Sequence, residues 1–143
     1  MILKSYISSK VKGGAVCPKH VESNVTSIGR GGAVAEYVED SVLLCGGRDK
    51  LNRVMGNCMA YNPLNNHWEE HSELIEIREE HSSVTVSGQM YILGGLINGE
   101  MVRSSEKLSG DTWTAGPSLP EGRSRYCNNF FHHLIFLSEA NHS

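Results

Sequence analysis

The chain has 143 residues, with 13 basic and 16 acidic side chains and a formal net charge of −3. This length corresponds to one domain or part of one, and without a basic stripe a nucleic-acid partner is not expected. No apolar run approaches the roughly eighteen residues that a membrane-spanning helix needs. The fifteen glycines favour many short strands joined by turns.

The N-terminal segment, residues 1–14, shows no clear hydrophobic period and lacks the long apolar core of a signal peptide. This slightly favours a cytoplasmic location, and an extracellular location stays open. Residues 15–29 contain enough valine and isoleucine for one or two strands.

From residue 30 onward the sequence repeats. Two short apolar runs end on glycine pairs, Gly46-Gly47 and Gly94-Gly95, which lie 48 residues apart. Each run is typical of a buried strand that ends where the backbone must turn or be approached closely. Trp68 and Trp113 follow the two pairs, each after about twenty residues. A period of this size indicates a solenoid or a propeller.

Each repeat contains four runs with the composition of β-strands, separated by turn residues. The first repeat predicts strands at 32–37, 42–47, 57–61 and 67–71. The second predicts strands at 82–86, 89–95, 102–108 and 112–115, with residues 96–100 as a loop whose tip is Asn98-Gly99. A third repeat begins at Arg123 and supplies two strands, but the expected glycine pair does not follow.

These repeats resemble kelch repeats, the four-stranded units of one kind of β-propeller. The residues that carry the resemblance are Gly46, Gly47, Tyr61 and Trp68 in one repeat, and Arg78, Gly94, Gly95, Leu108 and Trp113 in the next. The resemblance implies an all-β fold: a partial kelch β-propeller with two four-stranded blades and part of a third, not closed. Because propellers typically have four to eight blades, we expect the chain to be a fragment that further blades or other copies complete.

The resemblance also divides the chain into segments. Residues 1–29 would be a lead-in that can include the last strand of a preceding blade, 30–77 and 78–122 two blades, and 123–143 an incomplete blade. The turn at Tyr61-Asn62-Pro63 is similar to that of kelch-like ubiquitin-ligase adaptors, which usually carry Asp at the position of Asn62. Residues 108–113 of the second repeat depart from this turn.

Arg30, Arg78 and Arg123 stand at the starts of the repeats, and Arg78 follows Arg30 by 48 residues, in step with the glycine pairs. One interpretation is a basic ring for acidic ligands. The other is a repeated structural role, in which each arginine donates hydrogen bonds to the backbone between blades. The periodicity favours the structural role.

Function is expected on the loops of one rim, because binding residues concentrate on loops held by a rigid scaffold. The loops after the glycine pairs and the connections between blades should share that rim. The partner-binding candidates there are Arg48, Asp49, Lys50, Asn52, Arg53, Arg78, Glu79, Glu80, Asn98 and Glu100. Tolerated drift of loop sequences explains their variation equally well.

Cys45 and Cys58 would face each other if the hairpin between them is centred near residues 51 and 52, which would allow a disulfide. The alternative is two buried thiols packed as small hydrophobic side chains. Cys17 and Cys127 flank the repeats and could also pair.

A metal or catalytic site is not expected. His67 and His71 would lie about 13 Å apart on one face of a strand, too far for a single metal ion. The G-x-S-x-G motif of a nucleophilic serine is absent from the sequence. No cofactor is implied.

The kelch resemblance therefore implies a protein–protein interaction module, such as the substrate-recognition part of a ubiquitin-ligase adaptor. That adaptor role would need a helical region outside this sequence. The alternatives are a fragment of a propeller enzyme, an oxidase or isomerase, and a degenerate kelch fragment without function.

Overall fold

The structure of the chain is a computed structural model, which describes residues 30–124. The predicted lead-in at 1–29 and most of the incomplete third blade lie outside the described residues, as do Cys17 and Cys127. Within residues 30–124, no helix is long and apolar enough to cross a membrane.

The first four strands form one antiparallel sheet in which each strand pairs with the next along the chain. They are β1 (Val34–Val38), β2 (Ser41–Cys45), β3 (Asn57–Asn62) and β4 (His67–Glu73). Strand β2 is apolar on both faces because both faces are buried, whereas β4 is mostly polar, as suits a strand with one unpaired edge.

The remaining six strands are β5 (Ser82–Val86), β6 (Gln89–Leu93), β7 (Leu96–Ile97), β8 (Glu100–Met101), β9 (Ser105–Ser109) and β10 (Thr112–Ala115). Four of them make a second antiparallel sheet in the order β5-β6-β9-β10. Strands β7 and β8 pair with each other as a small hairpin inserted between β6 and β9, and Leu96 of β7 also forms an isolated bridge with Glu79. We call the two four-stranded sheets the first and second blade.

The two sheets confirm the predicted all-β fold of two four-stranded units that do not close on themselves. One prediction was wrong: residues 96–100 are not a plain loop. Asn98 and Gly99 both have positive φ (51° and 81°), the geometry of a tight two-residue hairpin turn. That turn brings Leu96 opposite Met101. The third strand of the second blade accordingly begins at Ser105, after the hairpin.

Successive residues of a strand point to opposite faces, so each blade contributes to two apolar clusters. Between the blades, Leu43, Cys45 and Ala60 of the first pack with Met90 and Ile92 of the second. The clusters on the two far faces consist of Val42, Leu44, Met59, Tyr61 and Trp68 in the first blade, and Val84, Val86, Tyr91, Leu93 and Leu119 in the second. The blades therefore stack face to face, and burial of each large side chain stabilises the stack by about 1.5–3 kcal/mol.

The two ends of the stacked blades differ. The short turns, residues 39–40, 63–66, 87–88 and 110–111, lie at one end, which we call the turn rim. The long connections, residues 46–56, 74–81 and 94–104, lie at the other end, which we call the loop rim. This sorting arises because consecutive connections of an antiparallel sheet fall at alternate ends.

The first glycine pair ends β2 at the loop rim, where the chain of the next blade crosses it. Gly46 has a φ of 63°, and a Cβ atom there would lie 2.8 Å from the carbonyl oxygen of Arg78 and 2.5 Å from Cε1 of His81. The backbone N–H of Gly47 donates to that same Arg78 carbonyl at 3.1 Å. Only glycine combines this backbone conformation with so close an approach.

The second pair repeats the arrangement. The N–H of Gly95 donates to the carbonyl oxygen of Arg123 at 2.7 Å, and a Cβ on Gly94 would lie 2.4 Å from that oxygen. The glycine pairs are thus docking points for the arginine that begins the following repeat.

We predict that Gly46→Ala destabilises the chain far more than Gly88→Ala does. Both glycines have positive φ, but nothing lies within 4 Å of a Cβ on Gly88. Gly88→Ala should therefore cost about 1–2 kcal/mol of left-handed backbone strain. Gly46→Ala should cost about 1–3 kcal/mol more, from overpacking against Arg78 and His81. Urea unfolding curves of the two variants measure this difference, and equal midpoints would contradict the docking role.

Candidate interaction surface

Arg78 connects the two blades. Its Nη1 donates to the carbonyl oxygens of Gly94 (2.8 Å) and Ser104 (3.1 Å), which end β6 and precede β9. The backbone carbonyl of Arg78 accepts a hydrogen bond from the N–H of Gly47 in the first blade. Arg78 therefore makes hydrogen bonds to both blades. Arg30 makes the same side-chain contacts to the equivalent carbonyls of the first blade. The periodic arginines therefore have a structural role in both blades.

Glu106, on β9, completes the surroundings of Arg78. It is 1% exposed and accepts from Nη2 of Arg78 at 3.0 Å. Its carboxylate also accepts from the backbone N–H groups of Ile75 (2.7 Å) and Glu76 (3.0 Å) in the connection between the blades. A buried ion pair with this many hydrogen bonds is typically costly to break from one side, by about 3–5 kcal/mol.

Glu106 was not among the residues predicted from the sequence. The available signal was an acidic residue on the same face of its strand as the core residue Leu108, a place where a charge needs a buried partner.

The three long connections of the loop rim meet at Glu79. Nε of Arg48 donates to the Glu79 carboxylate at 2.7 Å, and Nη2 of Arg48 makes a second contact with it. The backbone of Glu79 exchanges hydrogen bonds with Leu96, which begins the hairpin (3.2 and 2.8 Å). The loop after the first glycine pair, the connection between the blades and the hairpin therefore lie side by side.

Asp49 holds the loop of residues 48–56 in one shape. Its Oδ1 accepts from the backbone N–H groups of Leu51 and Arg53, both at 2.9 Å, and its Oδ2 accepts from Nε of Arg53 at 2.8 Å. The hydrogen bond from the Arg53 backbone N–H is the main reason that the pKa of Asp49 is lowered. The loop is thus pre-organised by its own acid.

The structure separates the predicted partner-binding residues into three groups by burial. Arg78, Asp49 and Glu79 are buried, so these side chains support the rim and do not reach a partner. Arg48 and Glu80 are half-buried. The exposed members are Lys50, Asn52, Arg53, Asn98 and Glu100.

Exposed apolar side chains accompany these polar residues. Leu51 is 65% exposed, Ile75 59%, Ile77 56% and Met101 61%. They come from all three connections of the loop rim. In the sequence, loop residues of this kind are indistinguishable from apolar residues that fold back into the core.

Cys45 and Cys58 lie opposite each other on β2 and β3, and the structure joins them by a disulfide. Their Cα atoms are 4.1 Å apart, and both residues are completely buried between the blades. The bridge closes the base of the loop that Asp49 organises. Leu93 and Ser105 occupy the corresponding strand positions of the second blade, so this cross-link is specific to the first.

His81 is buried against the first blade. Its Nε2 lies 3.1 Å from the carbonyl oxygen of Cys45, which requires that Nε2 carry the proton. Burial, reinforced by the positive charge of Arg78, lowers the pKa of His81 to about 4. A proton added at Nδ1 would place a charge in an apolar interior beside a cation.

Among the residues that the structure describes, no cluster of three or more His, Cys, Asp and Glu side chains is arranged to hold a metal ion. His67 and His71 both lie on β4, and His71 Nδ1 is 2.8 Å from the hydroxyl of Ser72.

Comparisons with known proteins identify the repeat. Residues 29–73 match the family model of the kelch motif. The chain carries kelch repeats. A match of 30% identity over 90 residues relates it to Kelch-like protein 33 of Homo sapiens, covering 60% of this chain and 17% of that protein. The solved structure of YjhT aligns with a TM-score of 0.60 at 14% identity, over 66% of this chain and 40% of YjhT.

The kelch family model covers the first blade, and the second blade repeats its glycine pair, its arginine and its tryptophan. The similarity to YjhT shows a shared fold, so the two blades form part of a kelch β-propeller. The chain spans less than half the length of either protein it matches.

We predict that the purified chain carries the Cys45–Cys58 bond and that the bond contributes to its stability. A cross-link that closes a loop of about this size stabilises a protein by roughly 3 kcal/mol. Digestion without reductant, followed by mass spectrometry, should yield one linked peptide pair. Cys45→Ala combined with Cys58→Ala should lower the free energy of unfolding by a similar amount. If both cysteines are alkylated in native, unreduced protein, the prediction is wrong.

We also predict an acid-dependent loss of stability from His81. Because its folded pKa is lowered from about 6.5 to about 4, the unfolded chain binds the proton first. The stability that the neutral form of His81 contributes is fully present above pH 6.5. As the pH falls toward 4, the free energy of unfolding decreases by about 1.4 kcal/mol per pH unit.

The matched variant is His81→Gln, which keeps an N–H donor for Cys45 and does not titrate. The difference between the stabilities of the two proteins, from urea titrations between pH 7 and pH 4, should change with pH. Parallel curves would contradict the assignment.

Proposed function

We propose that this chain is part of a protein–protein interaction module that binds its partner through the loop rim. The observation that carries the proposal is the position of the exposed apolar side chains. Of the six large ones that are exposed in residues 30–124, four lie on the loop rim: Leu51, Ile75, Ile77 and Met101. Exposed apolar groups concentrated in one region of a soluble domain mark interaction sites.

The polar residues of the rim suit the same purpose. Lys50, Asn52, Arg53, Asn98 and Glu100 are exposed beside the apolar side chains. An apolar centre with a polar border is the usual composition of a protein interface.

The rim is also pre-organised. Asp49 fixes one loop, and the pair of Arg48 and Glu79 ties that loop to the next connection. A surface that is already ordered loses less conformational entropy when a partner binds.

The finer proposal is that this module is the substrate-recognition part of a ubiquitin-ligase adaptor. Two observations support it: the identity shared with Kelch-like protein 33, and the turn at Tyr61-Asn62-Pro63, whose Tyr61 hydroxyl donates to Asn66 at 2.8 Å. The bound protein would then be more ubiquitinated when the complete protein is present than when it is absent.

The test compares variants that carry new aspartates at opposite rims. Leu51→Asp combined with Ile77→Asp places two charges on the loop rim, and Leu64→Asp, at an 88% exposed position of the turn rim, is the control for a charge added elsewhere on the surface. Surface substitutions of this kind usually change stability by no more than about 0.5 kcal/mol. The three tagged proteins are expressed in the same cells and their bound proteins quantified by mass spectrometry.

We expect a set of proteins that the unaltered chain and Leu64→Asp both retain, and that the loop-rim variant loses by about tenfold or more, the effect of removing one interface hot spot. In calorimetry with purified proteins, a partner from this set should bind the unaltered chain and Leu64→Asp with similar affinity, and the loop-rim variant more weakly. Equal retention by all three proteins would refute the loop rim as the binding surface.

A further inference from the structure

A second surface feature lies at the turn rim, away from the proposed partner site. A cleft of about 320 Å³ opens between the two blades there. Its apolar floor is formed by Val38, Leu43 and Ala60 of the first blade and Leu108 of the second. Residues of both described blades line this cleft.

The walls of the cleft carry charge of one sign. Glu39 and Asp40 come from the turn between β1 and β2, Glu69 from β4, and Asp111 from the turn between β9 and β10. None of the described residues that line the cleft is a lysine or an arginine. The one basic ring is His71, whose Nε2 lies 3.8 Å from Oδ1 of Asp111.

Among the described residues, three of the carboxylates have no hydrogen-bond donor. Across residues 30–124, no hydrogen bond or ion pair joins the side chain of Glu39, Asp40 or Glu69 to another group. Asp111 is 99% exposed, with only the distant contact to His71. Four like charges around one small cleft produce a negative potential that its low-dielectric walls concentrate. The cleft therefore attracts cations and offers apolar surface below them.

We propose that this cleft binds an arginine side chain of a second protein partner, independently of the loop rim. The methylene stem of an arginine would cover the apolar floor, because long basic side chains bury their stems and keep their charge near water. Its guanidinium would meet the carboxylates of Glu69 and Asp111, since its planar fork donates to two oxygens at once. An acidic or uncharged side chain would meet uncompensated repulsion or would leave the carboxylates unpaired.

The strand β4 provides a matched pair of variants for the test. Glu69 lines the cleft, whereas its exposed neighbour Glu70 does not, because adjacent residues of a strand point to opposite faces. Glu69→Gln combined with Asp111→Asn removes two cleft charges without changing side-chain size. Glu70→Gln removes one charge of the same kind outside the cleft.

The probe is a fluorescein-labelled hexapeptide of alternating leucine and arginine, capped at both ends, and binding to the full chain is measured by fluorescence anisotropy. A second peptide carries citrulline in place of arginine, which keeps the shape and removes the charge. We expect saturable binding of the arginine peptide that weakens with added salt. The Glu69→Gln/Asp111→Asn protein should bind about fivefold or more weakly, and Glu70→Gln within about twofold of the unaltered chain.

Three results would overturn the proposal: no saturable binding of the arginine peptide, equal binding of the citrulline peptide, or an equal loss of affinity in Glu70→Gln. The loop-rim variant Leu51→Asp/Ile77→Asp should leave the peptide affinity unchanged. A loss of peptide affinity in that variant would place the peptide at the other rim and would likewise refute the cleft.

Discussion

The contact between Arg78 and the first glycine pair is the constraint on which the rest of the described structure depends. The carbonyl of Arg78 occupies the space that a side chain on Gly46 would need, and its guanidinium satisfies carbonyls of the second blade. Glu106 neutralises that guanidinium and at the same time fixes the backbone leading to it. The position of one blade relative to the next is therefore set by directional hydrogen bonds at the loop rim, and apolar packing fills the space between.

The strands could be predicted from the sequence because their patterns are local. Alternation of apolar residues and the turn residues between them place nearly every strand within a few positions of its observed bounds. The glycine pairs revealed the repeat, although not its physical cause. That cause is the carbonyl of an arginine that begins the next repeat, far along the chain from the pair it contacts, and no local pattern contains it.

The candidate surface was harder to predict, because a loop sequence does not show which side chains point outward. Asp49 and Lys50 are adjacent in the sequence but differ in the structure. The side chain of Asp49 is buried and accepts hydrogen bonds within its own loop, whereas the side chain of Lys50 is exposed. Ile75 and Ile77 resemble core residues in the sequence, yet both are exposed because the backbone between them is held by Glu106 and by the turn toward Arg78. Whether such a loop residue is buried or exposed depends on contacts between the blades, which the local sequence does not show.

The way in which Arg30 and Arg78 are bound has a consequence for how such chains can evolve. Each arginine uses carbonyls of its own blade with its side chain, and Arg78 offers its backbone to the glycine pair one repeat earlier. In both described blades, the N–H of the second glycine of the pair is the donor, and the carbonyl of the arginine that begins the next repeat is the acceptor. Duplication or deletion of one whole repeat leaves each glycine pair facing an equivalent arginine, so the number of blades can change by a single genetic event without a new junction having to arise.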